Sequence, residues 1–104
     1  MHSKPTFLYI KQHTVTGLLY FGKTTKDPEY YLGSGKYWLR HIRNHGTQYV
    51  VNLWYCLFTE IDECMRFAKS FSKMNSIVSD PQWANLMEEN GADGGDTSMY
   101  SNSS

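Results

Sequence analysis

The segment Tyr49 to Phe58 (YVVNLWYCLF) constrains the fold more than any other part of the chain. It runs ten residues without a charge or a proline and has one amide, Asn52. Its β-branched and aromatic residues, and a length too short for a buried helix, read as a strand. A strand apolar on both sides implies cover on both sides, so the run is expected at the centre of a sheet. Helices must supply that cover, since a few strands cannot hide both faces of a sheet alone.

The rest of the chain supplies such elements. Thr6 to Gln12 (TFLYIKQ) reads as a strand, Thr14 to Gly17 as a turn, and Leu18 to Lys23 (LLYFGK) as a second strand. Two strands joined by a short Gly-containing loop form a hairpin. Thr24 to Gly35 is punctuated by Asp27-Pro28 and Gly33-Ser34-Gly35 and is expected as a loop. Lys36 to Asn44 spaces Trp38, Leu39 and Ile42 as a helix would, with a stop at His45-Gly46 and an outer face of Arg40, His41 and Arg43. Thr59 and Asp62 resemble a capping box for a second helix reaching about Lys73, with Ile61, Met65, Phe67, Ala68 and Phe71 on its buried side. Asp80-Pro81 is expected to begin a short helix through Trp83, Leu86 and Met87. From Gly91 onward the composition is that of a disordered tail. The expected fold is α+β: an antiparallel sheet of about three strands flanked by helices, in a domain over residues 1–92 with a polar tail over 93–104.

A chain of 104 residues fits one domain. Its net charge is zero, yet residues 1–50 hold seven Lys/Arg against two acids, a net of +5, and residues 51–104 hold the balancing −5. A basic half can face phosphates while an acidic half faces water. Cys56 and Cys64 make neither a disulfide framework nor a zinc set, and suit a reducing compartment as small hydrophobes. No apolar signal core or membrane-spanning run is seen, so a cytoplasmic location without a membrane partner is expected.

Phe7-Leu8-Tyr9 followed by Tyr20-Phe21-Gly22 has the placement of the paired tripeptides of the GIY-YIG nuclease superfamily. A basic aromatic helix, a strand and another helix then follow in the family order. Tyr31 to Gly46 (YLGSGKYWLRHIRNHG), Trp83 to Leu86 (WANL) and Glu89 to Gly91 resemble a phage-associated branch of small GIY-YIG proteins related to homing endonucleases. The resemblance covers roughly residues 5–92, and Tyr9, Tyr20 and Gly22 match the tripeptides letter for letter.

This resemblance implies phosphodiester hydrolysis in which tyrosines surround an attacking water, a helix Arg holds the phosphate and a helix Glu binds one divalent metal. Such a reaction needs in-line water, neutralised phosphate charge and help for the leaving oxygen. Carried over, Tyr9 and Tyr20 handle water and protons, and Gly22 lets the phosphate backbone approach. His41 is the supporting first-helix histidine, and Asn85 the late asparagine. The family Arg stands four residues before that histidine, where this chain has Tyr37. Arg40, with Lys23, Lys36 and Arg43, is the substitute for phosphate charge. The metal-binding Glu is expected around residues 68–70, which read Ala-Lys-Ser. Glu60, Asp62 and Glu63 are the nearest acids, and Glu63 is the candidate ligand for Mg²⁺ or Mn²⁺.

Plainer readings stand beside these. Tyr9 and Tyr20 also suit cross-strand packing, and Trp38 and Trp54 suit the core. His41 and His45 have the i, i+4 spacing of metal ligands, but nothing nearby in sequence completes a zinc set. The Gly33-Ser34-Gly35 turn lacks the Walker lysine pattern, so a P-loop ATPase is not supported. Two functions are therefore expected: a divalent-metal-dependent DNA endonuclease, or a derivative of that fold that binds DNA, or binds and blocks another protein, for example a phage protein acting against host defence.

Overall fold

A computed structural model describes residues 5–85. Strands β1 (Thr6–His13) and β2 (Leu19–Thr24) are followed by helix α1 (Lys36–His45), strand β3 (Val50–Phe58) and helix α2 (Ile61–Met74). All strand neighbours are antiparallel, so the fold is α+β with a three-stranded sheet and two helices. The expected segment through Leu86 and Met87 and the tail over 93–104 extend outside the described residues.

The strand order is β2-β1-β3, so β1 is central and β3 an edge. This corrects the expectation that Tyr49 to Phe58 lies in the middle. An apolar run reports how the faces of a strand are covered, not whether a neighbour pairs on each side. Within β3 the register skips one residue: Ile10 pairs with Trp54 and Lys11 with Asn52, leaving Leu53 as a bulge.

Alternation along β1 sends neighbouring side chains to opposite faces, and each face has its own core. Tyr9 joins Tyr20, Trp38 and Ile42 under α1. Leu8 joins Phe21, Cys64, Ala68 and Ile77 under α2. The two helices therefore cover opposite faces of the sheet. On α2 the fully buried residues are Cys64, Ala68 and Ser72, an i, i+4, i+8 stripe. Phe67, expected inside, is exposed and stacks on Trp54 across from it. Trp54 itself is only partly buried, because an edge strand leaves one side open.

Local chemistry fixes the helix ends. Gly46 takes φ +106°, which an L side chain rarely adopts, and its N–H closes α1 on the Ile42 carbonyl at 2.8 Å. Thr59 does not cap α2: Glu60 is the cap residue, and it makes no side-chain capping bond. Residues 80–82 form a turn rather than a helix, with the Gln82 N–H bonded to Asp80 Oδ1 at 3.0 Å.

The chain then runs alongside β2. Leu19 N–H donates to the Gln82 carbonyl at 2.8 Å, and Ala84 N–H donates to the Leu19 carbonyl at 2.7 Å. Leu19 and Trp83 make a parallel bridge. This contact replaces the expected short helix, because it satisfies the outward backbone groups of β2, which a helix could not reach.

Candidate functional site

Tyr9, Tyr20 and Gly22 come together on the α1 face. Gly22 lies opposite Tyr9 in the β1–β2 register, and the two tyrosine rings are 6.2 Å apart. A Cβ at residue 22 would meet the Tyr9 hydroxyl, stand 2.6 Å from Tyr9 Cζ and 2.8 Å from Tyr20 Cε2. Only glycine leaves room for both rings. Tyr20 stacks on the Trp38 indole at 5.4 Å, and Trp38 Nε1 donates to the Leu32 carbonyl at 2.8 Å, so the 33–35 turn is folded over the stack. The Tyr20 hydroxyl reaches Ser34 Oγ at 3.3 Å. The group is closed, with Tyr9 0% and Tyr20 7% exposed.

Beside Tyr9 the central strand buries a cation that the sequence reading did not single out. Lys11 is 2% exposed, and its ammonium donates to the Pro28 carbonyl at 2.9 Å and to Asn52 Oδ1. Asn52 Nδ2 donates to the same Pro28 carbonyl at 3.1 Å, and the ammonium lies 5.1 Å from the Tyr9 ring centroid. Burial lowers the Lys11 pKa, and the Glu29 carboxylate opposes that shift. Glu29 also accepts from the Tyr55 hydroxyl at 2.8 Å, which raises the Tyr55 pKa. These bonds tie the 27–31 loop to the sheet. The signal available in the sequence was the alternation Tyr9, Lys11, His13, which puts a lysine on the same side of a strand as a tyrosine and a histidine.

His41 does not lie on the outer face of α1 as expected. It is half-buried, with its ring 5.5 Å from His13 and 4.4 Å from His45. Thr16 Oγ1 and His41 Nε2 are hydrogen-bonded at 2.7 Å, and the same Oγ1 accepts from Leu18 N–H at 3.4 Å. Burial lowers the His41 pKa, with further lowering from the neighbouring His45 and His13. Buried His13 accepts from Thr16 N–H at Nδ1, 3.3 Å, and its Nε2 meets the Gly46 carbonyl at 2.9 Å. The tautomer protonated on Nε2 satisfies both bonds. An open cleft of about 340 Å³ borders His41, Thr16 and Gln82; its lining contains neither Tyr9 nor Tyr20.

The other expected site residues are dispersed. Lys36, Arg40 and Arg43 are exposed on α1, opposite the buried Trp38 and Ile42. Lys23 pairs with Leu8, so alternation directs it to the α2 face, away from Tyr9. Glu63 is exposed on α2, the helix over that same opposite face. No group of three or more His, Cys, Asp or Glu that could hold a metal ion occurs among the described residues.

Asn85 is buried and fully engaged elsewhere. Its Oδ1 accepts from Phe21 N–H at 3.0 Å and its Nδ2 donates to the Phe21 carbonyl at 2.7 Å. It therefore continues the pairing begun by residues 82–84 along β2.

None of the described helices is long and apolar enough to cross a membrane. Comparison with protein-family models, curated proteins and solved structures gave no match. The GIY-YIG resemblance thus rests on Tyr9, Tyr20, Gly22 and the segments that follow them.

Proposed function

We propose that the chain is a DNA-binding protein of GIY-YIG-like lineage that contacts phosphates through the outer stripe of α1. One observation carries this reading. Lys36, Arg40 and Arg43 stand at i, i+4 and i+7, exposed along one side of a helix whose first turn contains no acid. Cations in such a row match a phosphate backbone, and the attraction is independent of sequence. The opposite side of the same helix rests on the Tyr9/Tyr20 group through Trp38, which holds the stripe rigidly.

Binding to duplex DNA measured against salt tests the reading. Three phosphate contacts give a log–log slope of roughly −3, and the triple variant Lys36→Gln, Arg40→Gln, Arg43→Gln loses the affinity. Absence of binding at low salt would sink it and favour a protein target for the fold.

A second reading, Mg²⁺- or Mn²⁺-dependent hydrolysis of DNA, is favoured by the convergence of Tyr9, Tyr20 and Gly22. Placement of Glu63 and Lys23 toward the other face weighs against it, as does the burial of both tyrosines. Nicking of plasmid by the purified protein with either metal, lost in Tyr20→Phe, would establish hydrolysis. DNA binding without nicking leaves the first reading alone.

A further inference from the structure

We infer that Lys11 and Asn52 form a phosphate-binding site whose place is held by the Pro28 carbonyl, and that residues 27–35 are a strap that lifts to admit the phosphate. Two donors converge on that one oxygen. Lys11 Nζ reaches it at 2.9 Å and Asn52 Nδ2 at 3.1 Å. Asn52 Oδ1 accepts from the same ammonium, which turns the amide's donor side toward the carbonyl. A cation and an amide donor aimed at a single oxygen suit a phosphate oxygen, which the ammonium meets as a compact charge. Lys11 is 2% exposed and Pro28 fully buried, so the site is built inside the fold.

The strap also carries the counter-charge. Among the described residues, the carboxylate that acts on Lys11 is Glu29, next to Pro28 in the chain, and the Tyr55 hydroxyl holds it at 2.8 Å. With Pro28 and Glu29 lifted away, the sheet face keeps Lys11, Asn52, Tyr9, Tyr20 and Gly22, whose only charge is positive. A half-enclosed cation that has lost both its acceptor and its counter-charge draws an anion. The anion would arrive beside the tyrosines: the ammonium is 5.1 Å from the Tyr9 ring centroid, and Tyr9 faces Gly22 across the hairpin.

The strap is fastened in a way that allows opening. Besides Pro28, its sheltered side chain is the half-buried Tyr31, edge-on to the Tyr9 ring at 6.2 Å. Single hydrogen bonds hold the rest: Tyr55 to Glu29, Trp38 Nε1 to the Leu32 carbonyl, and the Tyr20 hydroxyl to Ser34. A segment with few buried apolar contacts opens at a fraction of the cost of global unfolding. Tyr30 N–H and Tyr31 N–H both donate to the Asp27 carbonyl at 3.1 Å, so residues 27–31 can move as one piece. Where the strap meets α1, Gly33 and Gly35 take φ of +112° and +86°, and residues without a Cβ absorb the rotation of a hinge. Lifting it uncovers Tyr9 and Tyr20 together with Lys11.

That the phosphate belongs to DNA rests on the proposed function; the site itself does not. The Trp38 indole N–H reports the strap, because the Leu32 carbonyl covers it. Its exchange with solvent is followed by NMR on the full chain, with thymidylyl-thymidine as a single phosphodiester, inorganic phosphate as the free ion, and thymidine as the control without phosphate. A ligand that takes only the open form speeds exchange in proportion, about twofold when its concentration equals the open form's dissociation constant. The dinucleotide should do this in the wild-type chain, and thymidine should not. Lys11→Met and Asn52→Asp should each abolish the response. The second keeps an acceptor for Lys11 if the first fails to fold, and it sets a carboxylate against the phosphate. A lysine that only braces the loop predicts no response to the dinucleotide. An indifferent wild-type indole, an equal response to thymidine, or an undiminished response in Asn52→Asp would each overturn the inference. A response to inorganic phosphate alone would overturn the assignment to nucleic acid. Duplex binding through α1 with an unresponsive strap would leave the proposed function standing while this site fails, and a dinucleotide response without duplex affinity would do the reverse.

Discussion

Asn85 grips the backbone of Phe21 from both sides, its Oδ1 taking the amide proton at 3.0 Å and its Nδ2 reaching the carbonyl at 2.7 Å. The side-chain amide reproduces the donor and acceptor of a peptide group, and so acts as one further residue of the segment along β2. Residues 64 positions apart in sequence are joined by this contact. Asn85→Ala leaves both groups of Phe21 buried without their partner. Each such loss costs about 1–3 kcal/mol, so the variant should lose roughly 2–6 kcal/mol of stability in urea denaturation. An unchanged midpoint would show that water replaces the clamp without penalty.

Gly22→Ala should destabilise the fold through crowding. The added methyl meets two aromatic rings at once, and overpacking of this kind costs about 1–3 kcal/mol. Tyr9→Phe should fail to rescue it, because the ring carbon Cζ already stands 2.6 Å from the new atom. Thermal denaturation of the single and double variants measures this. Full rescue by Tyr9→Phe would place the conflict at the hydroxyl alone.

Acid should weaken the fold through His41. Its pKa in the folded chain lies below the ordinary 6.5, so the unfolded chain binds the proton more readily. Stability is therefore complete above that ordinary value, and falls as pH drops through it toward the lower folded value. His41→Gln retains a polar partner for Thr16 and removes the titration. Melting temperatures followed from neutral pH to about pH 5, well below the free imidazole pKa, should decline less in the variant. Parallel declines would assign the acid sensitivity to other groups.

Each cation of the α1 stripe should contribute to DNA affinity without choosing a sequence. Arg40→Gln is expected to reduce the salt slope by about 1 and to weaken different duplexes equally. Fluorescence anisotropy with two unrelated duplexes checks both points. A loss confined to one duplex would mean that Arg40 touches bases.

The order and extent of the elements were legible because they depend on local periodicity and punctuation. Trp38 and Ile42 at helical spacing located α1, and Gly46 located its end. The centre of the sheet was not legible, because the composition of Val50 to Phe58 carries no information about which strand lies beside it. At the site, Tyr9, Tyr20 and Gly22 were singled out by the tripeptide resemblance, and the β1–β2 register sets them side by side. His41 was misplaced because its neighbours His13 and Thr16 come from the hairpin. The amphipathic pattern of a single helix does not contain them. Asn85 belongs to the same class: an amide near the end of a sequence gives no sign of the distant peptide it will complete.

The segment of residues 82–85 along β2 has a consequence for assembly. Leu19 and Phe21 have their outward backbone groups occupied, so no further strand can pair along that part of β2. A sheet open at both borders can add copies indefinitely and make a fibre, and covering a border from within stops growth there. By filling part of one border of its sheet from within, the chain removes a template along which foreign strands would otherwise add.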